Sequence, residues 1–420
     1  MAAFIAPART LRPTARPSWA GPAPHVRSAR PHADVSAYRT PLALGVAAAL
    51  LKKNVRGRQR IPRRSVETPS YSTPKDAKEA MFFAKKLAEA FATGDALLPL
   101  EDTMGLLEDS ITLLQSEPTL VRIEVPAGGH LNVVGDVHGQ LWDFLSIFEE
   151  NGWPSEENPY LFNGDFVDRG SYSVEILLVL IAFKLALPRH FFLSRGNHEE
   201  ESMNRHYGFT GEVLTKYMDM QVFRTFQRLF VCLPLSHVVN SEVFITHGGI
   251  PREEVSLEEI ASLDRLKDPG EMDEKESMLF TDLLWADPHS GIPGLCSSQR
   301  GDGIVTFGSD ITQRFLQSND LNLVIRSHEC QDNGFEWAHD KRCLTVFSAP
   351  NYCDEVGNQG AVIRYGRRGA AVRGSQEAQE LCGVHGLRRQ HIRPQHMGAP
   401  ALKKMRSVSS KRVVFCFKEA

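Results

Sequence analysis

Long apolar runs are missing. No stretch of the chain approaches the ~20 apolar residues that a membrane-spanning helix needs. The best candidate, Leu42 to Leu51, is too short. Cysteine is sparse and unpatterned: seven residues, at 232, 296, 330, 343, 353, 382 and 416, an odd number without a C-x-x-C pair. That argues against a disulfide framework and for reduced thiols in an intracellular protein. No fixed-period repeat is visible, which excludes a solenoid. Hydrophobic residues at 42% and charged residues at 24% are ordinary globular values. They exclude collagen-like, mucin-like and wholly disordered chains, and 420 residues leave room for two or three domains.

Acidic residues are also missing from one end. Residues 1–75 hold 14 Lys and Arg against only Asp34 and Glu67, a net +12, while the remaining 345 hold 34 bases and 49 acids, a net −15. A basic arm therefore precedes an acidic body. Its Ala-, Arg-, Pro- and Ser-rich composition matches an organelle transit peptide, or equally a disordered, solvated arm that leans on an acidic partner. The first reading implies a plastid or mitochondrion, the second the cytoplasm. Residues 1–74 are thus set apart from the fold, and the polar, basic stretch 369–420 reads as a flexible tail.

Between them the pattern is layered. Ala80, Phe83, Ala84, Leu87 and Phe91 form the stripe of an amphipathic helix. Leu141, Phe144, Leu145 and Phe148 make another, as do Val174, Leu177, Leu178, Ile181 and Leu185. Short apolar runs alternate with these stripes, the sign of an α/β body.

Five of those runs end in polar residues of one kind. Leu131-Asn-Val-Val-Gly leads into Asp136-Val-His138, and Tyr160-Leu-Phe-Asn-Gly into Asp165-Phe-Val-Asp168-Arg169. Phe191-Phe-Leu-Ser-Arg-Gly leads into Asn197-His198-Glu199, Val243-Phe-Ile-Thr into His247, and Leu323-Val-Ile-Arg-Ser into His328. The C-terminal ends of strands are where α/β folds build sites, and glycine lets backbone approach a ligand. Asp oxygens, His nitrogens and an Asn carbonyl suit Mn, Fe or Zn. Six such groups are too many for one catalytic ion, whereas two ions sharing a carboxylate use them economically. Asp168, Arg169 and His198 are left over to support the ligands and meet the substrate. Taken singly, each motif has a plainer reading: Asp136 as a turn cap, His247 or His328 as a core histidine, Asn197 as a helix cap. Their joint occurrence at five strand ends is what favours a metal site.

The segments G-D-V-H-G (135–139), G-D-F-V-D-R-G (164–170), R-G-N-H-E (195–199), H-G-G (247–249), L-L-W-A-D-P (283–288), R-S-H-E (326–329) and S-A-P-N-Y-C (348–353) together resemble the phosphoprotein phosphatase family of metal-dependent serine/threonine phosphatases. Within it the chain is most similar to the type 5 branch, through N-P-Y-L-F-N-G-D-F-V-D-R-G and Y-G-F-x-G-E-V, although the N-terminal tetratricopeptide repeats of that branch are not visible. The resemblance implies a metallophosphatase catalytic domain over 75–368. It also implies the calcineurin-like metallophosphoesterase fold, a central β-sandwich of mixed sheets flanked by helices, with disordered extensions. It assigns Asp136, His138 and Asp165 to a first divalent ion, and Asp165, Asn197, His247 and His328 to a second. His198 becomes the general acid with Asp168 behind it. Arg169, Arg300 and Asn197 meet the phosphate, Tyr352 lines the site and Asp287 stands at its rim. The implied reaction is hydrolysis of phosphoserine and phosphothreonine by a two-metal-activated hydroxide, with phosphoproteins as partners and no nucleic acid.

One departure concerns Arg300, which stands one residue farther from Phe307-Gly308 than the family's pattern has it. Either the loop bulges and Arg300 still reaches the phosphate, or its grip is displaced. Two other functions compete: a phosphodiester or dinucleoside-polyphosphate hydrolase on the same scaffold, and an inactive scaffold that binds phosphoproteins. In the tail, Lys411-Arg-Val-Val-Phe415 resembles the short motif by which regulatory subunits dock on type 1 phosphatases. It would serve a regulatory subunit or intramolecular docking; a chance match in a disordered tail is the favoured reading of so short a pattern, and an apolar anchor folding back on the body is plainer still.

Overall fold

The computed structural model describes residues 67–366 and the backbone of 382–387. Asp76 accepts the Glu79 N–H at the start of α1 (Ala77–Phe91), and the expected stripe is the helix's buried face. The chain continues through α2 (Leu100–Gln115), β1 (Leu120–Ile123), β2 (His130–Val134), α3 (Leu141–Asn151), β3 (Tyr160–Phe162), α4 (Ser173–Ala186) and β4 (Phe191–Leu193). Three helices come next, α5 (Glu201–Tyr207), α6 (Phe209–Tyr217) and α7 (Met220–Cys232), then β5 (Ser236–Val239), β6 (Val243–Thr246), α8 (Leu257–Ser262) and α9 (Glu274–Trp285). The remainder is β7 (Asp287–Pro288), β8 (Leu295–Ser297), β9 (Val305–Phe307), α10 (Ser309–Ser318), β10 (Leu323–Arg326), β11 (Phe335–Ala338), β12 (Cys343–Val346), β13 (Gly360–Gly366) and β14 (Cys382–Leu387). No helix among the described residues is long and apolar enough to cross a membrane.

Two mixed sheets form a sandwich. One has the order β1-β5-β6-β10-β12-β11, the other β14-β13-β2-β3-β4; β7-β9-β8 is a small third sheet. Successive side chains on a strand point to opposite faces, and the burial obeys that rule. Val133, Leu161, Ile245, Ile325 and Leu344 meet between the sheets. Val134, Tyr160 and Phe162 point outward under α1–α4, α6 and α7, while Val238, Phe244 and Val324 point outward under α8–α10. Strands covered on both faces read as unbroken apolar runs, which is why the five strand ends were visible in the sequence.

Three expectations change. The stripe on α4 is too narrow: every residue of that helix except Leu185 is buried, because α1, α2, α3 and α6 all pack around it. Chain assigned to the basic arm already packs on the domain at Tyr71, whose hydroxyl donates to Asp109 at 2.6 Å and whose ring meets Phe83. Within the stretch expected to be a flexible tail, β14 pairs antiparallel along β13, from Gly360 opposite Leu387 to Tyr365 opposite Cys382. It covers an edge that would otherwise present unpaired N–H and C=O groups. The rest of the arm and tail, including Lys411–Phe415, lies outside the described residues.

The sheets touch where the site begins. Asp136 bridges to Phe347 beyond β2 and β12. A Cβ on Gly135 would lie 2.2 Å from the Val346 carbonyl oxygen, so only glycine fits there.

Candidate metal centre

The ends of β2, β3 and β4 from one sheet and of β6 and β10 from the other bring their polar residues together at one place. Five of these residues take left-handed backbone conformations that side chains rarely adopt: His138 (φ 39°), Asp165 (53°), Asp168 (69°), Arg169 (69°) and His328 (69°). Such strain persists only where the surroundings over-determine it, and it concentrates at functional sites.

His138, His247 and His198 are each aimed by a second ring nitrogen. The Nδ1–H of His138 donates to the Val167 carbonyl at 2.8 Å, which turns Nε2 toward Asp165 Oδ2 (3.4 Å) and Asp136 Oδ2 (3.7 Å). The Nδ1–H of His247 donates to the Asn163 carbonyl at 2.7 Å, leaving Nε2 beside Asn197 Oδ1 (3.0 Å) and Asp165 Oδ1 (3.3 Å). His198 donates Nδ1–H to Asp168 Oδ2 at 2.8 Å. Asp168 also accepts from the Phe209 N–H and the Asn204 amide, so its carboxylate cannot swing away. The N–H of His328 donates to Asp136 Oδ1 at 3.1 Å, tying one sheet to the other.

Two groups of donors emerge. Atoms of His138, Asp165 and His198 lie within 4.8 Å of one another, as do those of Asp165, His247 and His328. Asp165 belongs to both. Asp136 and Asn197 stand at the edges of these groups, on the contacts just given.

The electrostatics suit cations. Burial, with Asp165 alongside, pushes the Asp136 carboxyl up to about 7. Burial also works against charge on Asp165, but His247, His198 and His138 outweigh it and hold Asp165 well below the usual carboxylate range. His138 is pushed down to about 4 by burial, and His328 is lowered well below its ordinary value by burial and by Arg300. Neutral imidazoles beside carboxylates are metal-binding groups. His328 Nε2 is buried and has no hydrogen-bond partner among the described residues, a cost that a coordinated ion would remove. The donor set therefore fits divalent ions. Burial opposes charge on His198, yet Asp165 and Asp168 outweigh it and raise its pKa.

The cavity, about 540 Å³, is lined by Asp136, His138, Asp165, Asn197, His198 and His328, with Arg169, Arg300 and Tyr352 on its walls. Asp287 pairs with Arg300 Nε at 2.5 Å and with Arg326 Nη2 at 2.8 Å, so it fixes one cavity arginine against a buried one. The segment after Arg300 forms a turn, where the Ile304 N–H reaches the Gly301 carbonyl and Gly303 takes φ 78°. His247 is buried behind the cavity rather than lining it.

Several residues have roles that sequence reading did not assign. Glu199 accepts the N–H groups of Asp165, Phe166 and Gly196 at 2.7–2.8 Å, clamping two strand-end loops together. Asn163 donates to the Thr246 carbonyl and to Ser327, linking β3 to β6 and β10. Tyr207, Met203, Trp285 and Glu329 complete the walls. All of these except Met203 lie inside the motifs quoted above, but nothing local in those motifs gives their partners.

Comparison with known proteins gives the same picture. Residues 130–332 match the calcineurin-like phosphoesterase family. The chain is 54% identical over 249 residues to serine/threonine-protein phosphatase 5 of Arabidopsis thaliana, covering 59% of this chain and 45% of that protein. It is 46% identical over 284 residues to serine/threonine-protein phosphatase T of Trypanosoma brucei brucei, covering 67% and 58%. The chain spans about half the length of the curated relatives it matches. Among solved structures, a protein serine/threonine phosphatase from Saccharomyces cerevisiae, described as similar to human phosphatase PP5, superposes with a TM-score of 0.68 at 35% identity, covering 74% of this chain and 97% of that one.

Proposed function

The chain belongs to the phosphoprotein phosphatases of the calcineurin-like phosphoesterase family, and on that premise we propose that it hydrolyses phosphoserine and phosphothreonine in proteins. The observation that carries the reading is that two donor groups sharing Asp165 meet beside a cavity lined by His198 and two arginines.

Asp136, His138 and Asp165 would hold one divalent ion, and Asp165, Asn197, His247 and His328 a second, with Mn, Fe or Zn suited to these oxygen and nitrogen donors. Two bound ions supply Lewis acidity, making water acidic enough to attack at neutral pH and neutralising phosphate charge. The chain's own groups do the rest. Arg169 and Arg300 bring planar donor forks to the phosphoryl oxygens, which spread the charge of the transition state. A serine or threonine alkoxide is a poor leaving group, and His198 protonates it from Nε2 because Nδ1 is committed to Asp168. Asp165 and Asp168 raise the pKa of His198 against the effect of burial, and so favour the protonated form. Tyr352, with its ring 5.0 Å from that of His138, closes one side of the cavity against water.

The unpaired cysteines Cys232, Cys296, Cys330, Cys343 and Cys353 fit an intracellular enzyme, in the cytoplasm or, where the basic arm directs import, a plastid or mitochondrion. Docking of Lys411–Phe415 on a phosphatase body belongs to the same proposal and is tested by binding of a 405–420 peptide. The activity itself is tested by phosphate release from the full-length chain, chelated and then supplied with Mn²⁺. Metal-dependent release from a phosphothreonine peptide, with none from a dinucleoside tetraphosphate, is expected. The reverse preference favours the phosphodiester reading, and binding without turnover an inactive scaffold.

A further inference from the structure

The cavity's two arginines are fixed in different ways. Arg300 spends Nε and Nη2 on Asp287 and shares Nη2 with the His328 carbonyl, so part of its donor fork is occupied and its charge is countered. Arg169 pairs with no carboxylate among the described residues; instead its guanidinium carbon lies 3.9 Å from the centroid of the Tyr207 ring. We propose that Tyr207 is a positioning residue that presents Arg169 to the phosphate by the face of its ring.

Four features converge on this. Tyr207 is the last residue of α5, and Gly208 ends the helix at φ 124°, which throws the Tyr207 carbonyl toward the Arg169 loop. That carbonyl accepts the Arg169 N–H at 3.0 Å, so one residue fixes both the main chain and the side chain of Arg169. Arg169 holds a left-handed conformation (φ 69°) that a long side chain does not choose unaided. The same ring is 5.2 Å from the His198 ring and lines the cavity beside it, so it sets the spacing between the phosphate fork and the proton donor.

The chemistry explains why a ring serves better than a carboxylate here. An aromatic face attracts a guanidinium without neutralising it and without taking its N–H groups. Arg169 keeps its side-chain donors for phosphate, and a fork already in plane loses less freedom on binding. A carboxylate in the same place would compete with the phosphate for those donors.

This inference rests on the reading of Arg169 as a phosphate-binding group, and the experiment separates the two. The full-length chain, loaded with Mn²⁺, is prepared as Tyr207→Phe, Tyr207→Met and Tyr207→Leu, each with and without Arg169→Ala. The inhibition constant for inorganic phosphate, kcat and KM on a phosphothreonine peptide, and ions bound per chain are measured. Tyr207→Phe keeps the ring and should recover the native phosphate constant. Tyr207→Met, which keeps bulk without a π face, and Tyr207→Leu should weaken phosphate inhibition and raise KM roughly 3- to 30-fold, the span of a cation–π contact, with ion content unchanged. With Arg169→Ala present, the same changes should add almost nothing, since the two residues act as one unit. Equal losses in both backgrounds, a Phe variant as poor as Leu, or no effect of Met and Leu would overturn the inference while leaving Arg169 as a phosphate group. If Arg169→Ala alone leaves phosphate inhibition untouched, both fall.

Discussion

Replacing His198 by Asn separates proton donation from every other task of the site. His198 reaches the cavity through Nε2 and is held from behind by Asp168, which keeps its contacts to Asn204 and the Phe209 N–H when the imidazole is gone. The carboxylate therefore stays partnered, and the fold should lose no more than the ~1–3 kcal/mol of one disrupted buried hydrogen bond. Turnover on a phosphothreonine peptide should fall by ~10²–10⁴, the range for a lost general acid, or about 2.7–5.4 kcal/mol in the barrier. On p-nitrophenyl phosphate, whose leaving oxygen needs little protonation, the loss should be slight. The assay is kcat on both substrates at saturating Mn²⁺, with ions per chain counted in parallel. Equal losses on the two substrates would refute the general-acid role. Loss of an ion with the imidazole would instead make His198 a ligand, which its place beside His138 and Asp165 allows geometrically.

Arg300→Ala removes a fork held by Asp287, and kcat/KM should fall by ~1.5–3 kcal/mol, the scale of a charge-assisted hydrogen bond; unchanged kinetics, with Arg169→Ala crippled, would show that the longer loop displaces Arg300. Glu199→Gln replaces one of two acceptors for three backbone N–H groups with a donor, and metal affinity should drop roughly 10–100-fold; a titration identical to native would clear Glu199 of any part in placing Asp165. His237 is wholly buried against Ser194, and burial and nearby Lys184 push its pKa down to about 3. The folded state keeps it neutral while the unfolded chain takes up a proton below about 6.5, so stability should fall by ~1.4 kcal/mol per pH unit as pH drops between those values. His237→Gln should flatten that slope in denaturant titrations, and an identical slope would show that His237 is not its source.

How much of this was legible in the sequence depended on whether the signal was local. Val133-Val134-Gly135-Asp136 and its four counterparts announce themselves because a strand buried on both faces is apolar without interruption, so the polar residue at its end stands out. The stripe on α4 misled for the same reason: a helix buried all round shows no single face. The roles of Glu199 and Asn163 were out of reach, since the Asp165 and Phe166 N–H groups that one accepts, and the Thr246 carbonyl and Ser327 hydroxyl that the other meets, lie far off in sequence. The left-handed backbone at His138, Asp165, Asp168, Arg169 and His328 leaves no mark either, because none of these is glycine. The strand Cys382–Leu387 carries two glycines, which weaken any strand pattern, and it is defined by the edge of β13 rather than by its own sequence.

The two-ion site is tested most directly by counting metal in the native chain and in Asp165→Asn. Elemental analysis after Mn²⁺ loading should find two ions per native chain. Asp165 is the one donor common to both groups, so its amide variant should hold fewer ions and show no phosphate release above background. Two ions still bound to Asp165→Asn, with activity retained, would contradict the shared-carboxylate site.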